Sequence, residues 1–147
     1  MREGWESYYM RLALLVGQRS TCLRRQVGAV IVRDRRIVAT GYNGPPSGIT
    51  HCSETGCARA ACKSGEHLDL CRAVHAEVNA ILQCAKYGVA IEGADIYSTA
   101  TPCLGCAKEI LNVGIHMVYV NADYPNRDGI EMLKQGGIVP CVVTLSD

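Results

Sequence analysis

Two short runs carry the residues best suited to chemistry: His75-Ala76-Glu77 and, 25 residues after Glu77, Pro102-Cys103-Leu104-Gly105-Cys106. One imidazole and two thiols form a donor set that suits zinc. Three protein ligands leave a fourth position for water, the arrangement of a hydrolytic rather than a structural site. Zinc brings such a water close to ionisation at neutral pH and so makes it a nucleophile. Glu77 lies outside the ligand set, and its carboxylate can move protons between that water and a substrate. Each fragment alone is weak. His-Ala-Glu also occurs in exposed helix turns, and Cys-x-x-Cys marks redox pairs and half-sites of structural zinc. The order of the residues, with a proline before the first cysteine, favours the catalytic reading.

The flanking patterns predict the elements that must hold these residues. Tyr8, Tyr9, Leu12, Leu15 and Val16 fall at helical spacing, which predicts a helix over 6–17. Short β-branched runs predict strands at 27–32 and 36–42, joined as an antiparallel hairpin. Two glycines and two prolines make 43–48 a loop, and 49–70 is irregular and rich in cysteine. Helices are expected at 72–87, 103–112 and 128–135, alternating with strands at 94–99, 116–120 and 138–144. That alternation favours parallel strands with helices packed on the sheet. His75 and Glu77, two apart near a helix start, point to different faces, so one can bind metal while the other reaches substrate. Cys103 and Cys106, three apart at the next helix start, place both sulfurs on one side. There the helix end favours thiolates.

Composition narrows the class. A chain of 147 residues is expected to form one domain, 1–147, with a core that needs no disulfides. The net charge of +1 gives no basic footprint for a nucleic-acid partner. No apolar stretch is long enough for a membrane span, and Arg2, Glu3 and Glu6 do not read as a signal peptide. A cytoplasmic location is expected, where nine cysteines favour metal sites over disulfides.

The motif has the H-x-E then P-C-x-x-C form of zinc nucleobase deaminases. Further segments narrow it: 20–30 (STCLRRQVGAV), 40–48 (TGYNGPPSG), 71–81 (CRAVHAEVNAI) and 97–103 (YSTATPC). Together they resemble the deoxycytidylate (dCMP) deaminases, over about residues 6–143. The resemblance implies a three-layer α/β/α fold around a five-stranded mixed sheet. It implies hydrolysis of dCMP to dUMP and ammonia, which feeds thymidylate synthesis. His75, Cys103 and Cys106 would hold zinc, and Glu77 would carry protons to ring N3 and the leaving ammonia. Ala76 and the Thr101-Pro102 backbone would hold the base edge, and Asn43 would touch sugar or base. Asn43 also fits a plain turn residue before Gly44. Arg24 leads as the phosphate ligand, because a guanidinium binds phosphate oxygens in pairs; Arg25 and Arg127 are its rivals.

The resemblance also implies a homo-oligomer, with a hexamer favoured. It implies dCTP and dTTP as effectors at the Asn43-Gly44 loop, with Mg2+ accompanying the nucleotide. Cys52, Cys57, His67 and Cys71 are candidates for a second, structural zinc, with Cys22 an alternative member. These cysteines equally fit small buried side chains. Two other readings compete. One is a deaminase of another base, such as tRNA adenosine or a free nucleoside. The other is a DNA-uptake-associated protein that keeps the zinc without turnover.

Overall fold

The computed structural model describes residues 1–121 and 126–146. Its elements are α1 (Trp5–Gly17), β1 (Gly28–Arg33), β2 (Arg36–Tyr42), α2 (Cys52–Thr55), a single 3-10 turn (Leu68–Leu70), α3 (Ala76–Tyr87), β3 (Asp95–Ser98), α4 (Leu104–Asn112), β4 (Met117–Val120), α5 (Arg127–Gln135) and β5 (Cys141–Val142). The strands form one sheet in the order β2-β1-β3-β4-β5. β1 runs antiparallel to β2 and β3, while β3, β4 and β5 are mutually parallel. The sheet is therefore mixed, and the three-layer α/β/α expectation holds.

Side chains on successive strand residues alternate between the two helix layers. Ala29, Ile31, Ile96, Val118 and Val120 face one core with Ala76, Ala80 and Cys84 of α3, Ala107 and Ile110 of α4, and Leu133 of α5. Val30, Val32 and Tyr97 face the other, against Tyr9, Met10 and Ala13 of α1. Burying one large aliphatic side chain stabilises the fold by roughly 1.5–3 kcal/mol. In the α1 layer Tyr97 and Tyr119 stack 4.4 Å apart, and Tyr9 lies 5.3 Å from Tyr97. Three of the tyrosines are thereby spent on packing.

Two glycines let backbones meet near the motif. A Cβ on Gly41 of β2 would lie 2.3 Å from the Ala76 carbonyl oxygen of α3. A Cβ on Gly129 of α5 would clash with the Pro102 carbonyl oxygen. Only glycine permits either approach.

The boundaries differ from expectation at instructive places. α3 begins at Ala76 rather than near Arg72. Val74 exchanges two backbone hydrogen bonds with Gly44, at 2.7 and 3.1 Å, and this bridge holds the approach extended. β5 is only two residues long, at the sheet edge beyond Pro140, which has no N–H to donate.

Candidate active site and metal centre

His75 is the N-cap of α3 and Cys103 the N-cap of α4, both with extended backbone. Each stands just outside its helix, so its side chain can swing across the helix start. Neither makes a side-chain capping bond. The free N–H groups of both first turns thus surround the cluster with positive potential.

The His75 Nδ1 lies 3.3 Å from Cys106 Sγ and 3.4 Å from Cys103 Sγ. One ligand atom from each of the three residues falls within 4.8 Å of the others, the only such trio among the described residues. His75 is exposed, Cys103 half-buried and Cys106 buried. Two thiolates and an imidazole nitrogen facing a common point are the donor chemistry of zinc, so the residues fit the ion.

Without a cation the two sulfurs share one proton. Cys103 is held down to about 3, first by its hydrogen bond with Cys106 and then by His75. The bond to Cys103, burial and the nearby Glu77 charge push Cys106 up. The hydrogen bond to Cys103 raises His75 against the opposing effect of burial. A bound cation relieves this competition, because each donor must give up its proton to ligate.

Glu77 sits in the first turn of α3 and is 3% exposed. Its Oε1 accepts a 2.7 Å hydrogen bond from Ser98 Oγ, and its Oε2 lies 3.6 Å from Cys106 Sγ. The carboxylate thus faces the cluster without being one of the ligands.

A cleft of about 520 Å³ opens over these residues, lined by His75, Ala76, Glu77, Thr101 and Cys103. Arg24, Arg25, Arg59, Arg72 and Asn43 line it as well. Glu77 is the one carboxylate on the described lining. Arg24 Nη2 donates to the Arg59 and Cys62 carbonyls, each at 2.5 Å. Arg59 is 8% exposed and donates to the Glu66 and Lys63 carbonyls at 2.9 and 3.3 Å. Arg72 donates to Thr55 Oγ1 and the Gly56 carbonyl at 3.1 and 2.8 Å. Among the described residues, no carboxylate pairs with Arg24, Arg59 or Arg72. Each guanidinium has five N–H donors, so several remain for an anion.

The expected substrate residues divide. Arg24, Asn43, Ala76 and Thr101 line the cleft, whereas Pro102 is fully buried beneath it, its carbonyl against Gly129. Arg127 begins α5 and is not on the lining. Asn43 Oδ1 accepts from the Val27 N–H at 2.9 Å, and its Nδ2 donates to the Arg25 carbonyl at 3.0 Å. Its amide therefore pins the arginine segment. Thr101 Oγ1 is buried without a hydrogen-bond partner among the described residues.

Cys52, Cys57, His67 and Cys71 do not converge: no three of their ligand atoms come within 4.8 Å of one another. Cys22, Cys52, Cys57 and Cys71 line the cleft, while His67 lies off it in the left-handed region, at φ 48°. Arg59, Arg72 and Ser98 were not singled out from the sequence. Ser98 left a trace, a hydroxyl two residues from Ile96 on a core-facing strand position. The arginines left none, because their placement depends on an irregular segment.

The fold and the His-Cys-Cys cluster with an adjacent carboxylate define a zinc-dependent hydrolytic domain. Residues 3–122 match the family model of the cytidine and deoxycytidylate deaminase zinc-binding region, and the chain belongs to that family. It is 43% identical to ComE operon protein 2 of Bacillus subtilis, over 99% of this chain and 75% of that protein. It is 40% identical to the deoxycytidylate deaminase of Saccharomyces cerevisiae, over 94% of this chain but 44% of that enzyme. The chain thus spans less than half of the yeast enzyme. The crystal structure of a dCMP deaminase from the cyanophage S-TIM5, in complex with dCMP and dUMP, superposes with a TM-score of 0.80. It is 34% identical, with 97% of this chain and 99% of that one covered.

Proposed function

We propose that residues 1–147 act as one zinc-dependent deaminase domain that hydrolyses dCMP to dUMP and ammonia. The observation that carries this is a single cleft that joins the His75-Cys103-Cys106 cluster and Glu77 to four arginines. The arginines fit a phosphate on the substrate, and the relatives named as dCMP deaminases support the base and sugar.

Zinc held by His75, Cys103 and Cys106 would supply a Lewis acid that makes water nucleophilic at neutral pH. Glu77 takes one proton from the attacking water and passes it to ring N3. It then takes the second from the hydroxyl newly attached to C4 and gives it to the departing amine, which leaves as ammonia. Its burial beside the cluster keeps bulk water from competing for that proton. Ala76 and Thr101 bound the base, and the orphan hydroxyl of Thr101 is a ready partner for it. Arg24 binds the 5′-phosphate with the N–H groups its carbonyl contacts leave over; Arg25 and the buried Arg59 stand beside it. Asn43 holds the Arg25–Val27 backbone, and its remaining amide N–H can reach the sugar.

The finer reading follows the family. The domain assembles as a hexamer in the cytoplasm and supplies dUMP for thymidylate synthesis. dCTP, with Mg2+, and dTTP act at the Asn43-Gly44 loop. The bridge from Gly44 to Val74 supports such control, because it ties that loop to the residue before His75. A second zinc on Cys52, Cys57 and Cys71, with His67 or Cys22, requires these side chains to draw together, since no three of their ligand atoms lie within 4.8 Å of one another here. Metal analysis that gives one zinc per chain in a fully active sample rejects it.

The deciding assay is ammonia release from dCMP, deoxycytidine, dCTP and CMP, each with and without dCTP or dTTP. Turnover of dCMP supports the proposal. A folded, zinc-loaded protein that leaves dCMP unchanged under every condition contradicts it, and would favour a deaminase-like protein without turnover.

A further inference from the structure

A carboxylate that carries protons must present one chosen oxygen, yet the Glu77 side chain can rotate about its terminal torsion. Ser98 bears directly on that choice. It is completely buried at the end of β3, and both neighbouring strands fix its backbone, paired with Ala29 and Val120. Its carbonyl accepts from the Asn121 N–H at 3.2 Å, which locks the residue further. The side chain has one O–H to give. The Ala100 N–H donates to Ser98 Oγ at 3.4 Å, and Ser98 Oγ in turn donates to Glu77 Oε1 at 2.7 Å. With an incoming donor on its lone pair, the serine proton is directed at the carboxylate. Oε1 is thereby occupied, and Oε2, on the Cys106 side, is the oxygen left facing the metal cluster.

We infer that Ser98 is a positioning residue: its buried hydroxyl fixes the Glu77 carboxylate so that Oε2 alone exchanges protons at the cluster. The inference rests on Glu77 as the proton carrier of the proposed reaction. Ser98 is fully buried and is not among the residues lining the cleft, so its effect belongs in kcat. Misorienting a reacting group by about an ångström can cost on the order of 100-fold.

Threonine and valine at position 98 have the same shape and differ in the hydroxyl. Ser98→Thr, Ser98→Val and Ser98→Ala are compared for kcat and KM on dCMP, zinc content and melting temperature. Crystals of metal-free wild type and Ser98→Ala report the Glu77 torsion without any turnover. The expected result is a roughly 10- to 100-fold lower kcat in Ser98→Ala and Ser98→Val, with KM and zinc content unchanged. Ser98→Thr restores most of the rate, and the Glu77 carboxylate rotates or splits in Ser98→Ala crystals. A wild-type kcat in Ser98→Ala, an unmoved carboxylate, or losses of kcat and zinc in step in all three variants overturns the inference. If wild type itself fails to turn over dCMP, the proposed function fails instead, and the crystallographic comparison still decides whether Ser98 sets the torsion.

Discussion

The edge of the sheet where α3 and α4 begin is built differently from the segment at 49–74 that roofs the cleft. The first is regular, buried and locked by close approaches such as Gly41 on Ala76 and Pro102 on Gly129. The second has one helical turn and one 3-10 turn. It is held by arginine side chains that bond backbone carbonyls, and exposes Leu68 and Leu70. The difference suggests a division of labour. Bond-making groups stand on rigid element ends, where a small displacement is costly. In the proposed function, the charge for the phosphate comes from arginines on this segment, Arg59 and Arg72, and from Arg24, which bonds its carbonyls. The segment can change without disturbing the sheet.

Glu77→Gln breaks the first region at its centre and carries the largest expected effect. Ammonia release from dCMP falls by about 10²- to 10⁴-fold, the usual weight of a positioned proton carrier, while zinc content is unchanged. Loss of zinc in that variant would show that Glu77 has been given the wrong role.

Gly41→Ala asks whether the edge is as rigid as described. Its new Cβ would meet the Ala76 carbonyl oxygen at 2.3 Å, so the α3 start must shift. A loss of more than about 2 kcal/mol in urea unfolding is expected, with weaker zinc retention. Gly65→Ala in the irregular segment has open space around its Cβ and only a positive φ to overcome. Its cost is expected to stay near 1 kcal/mol. Equal costs at the two positions would erase the contrast.

Arg24→Ala probes the second region from outside it, since Arg24 precedes β1 and bonds the Arg59 and Cys62 carbonyls of the irregular segment. The kcat/KM for dCMP falls by about 10- to 100-fold, as for a lost hydrogen bond to a charged group, while deoxycytidine turnover stays constant. A matching fall for both substrates would assign Arg24 to the scaffold.

Acidification sharpens the account of the cluster. In the metal-free protein the His75 pKa is raised, chiefly by its hydrogen bond to Cys103. A raised pKa means that the proton is held up to a higher pH than in free imidazole, so zinc must displace it over a wider range. Apparent zinc affinity, measured by competition with a chelator, falls as pH drops through and below that raised value. Affinity that stays flat down to pH 5 would mean that His75 is not a ligand. The smallest effect is expected from Cys141→Ser on the exposed end of β5, within about 0.5 kcal/mol of wild-type stability.

Much of the rigid region was legible in the sequence, because its signals are local. Helical and alternating periodicities located the helices and strands, and His-x-Glu with Pro-Cys-x-x-Cys located the chemistry. The α3 start was misplaced because a long-range bridge between Val74 and Gly44 overrides helix propensity in 72–75. The tie from Ser98 to Glu77 spans 21 positions and two elements, beyond any local pattern. The irregular segment was legible only as a list of cysteines and arginines. Its cysteine spacing suggested a ligand set, but a left-handed turn at His67 leaves that side chain off the cleft where Cys52, Cys57 and Cys71 lie. Arg59 gave no sign of burial, since its hydrogen bonds to Lys63 and Glu66 exist only once the loop has closed.

The most direct test of the division between chemistry and recognition is kcat and KM of the zinc-loaded protein for dCMP and deoxycytidine, measured side by side. The account predicts ammonia from dCMP with a kcat/KM at least about 10-fold above that for deoxycytidine. No ammonia from dCMP, or equal kcat/KM for the two substrates, would contradict it.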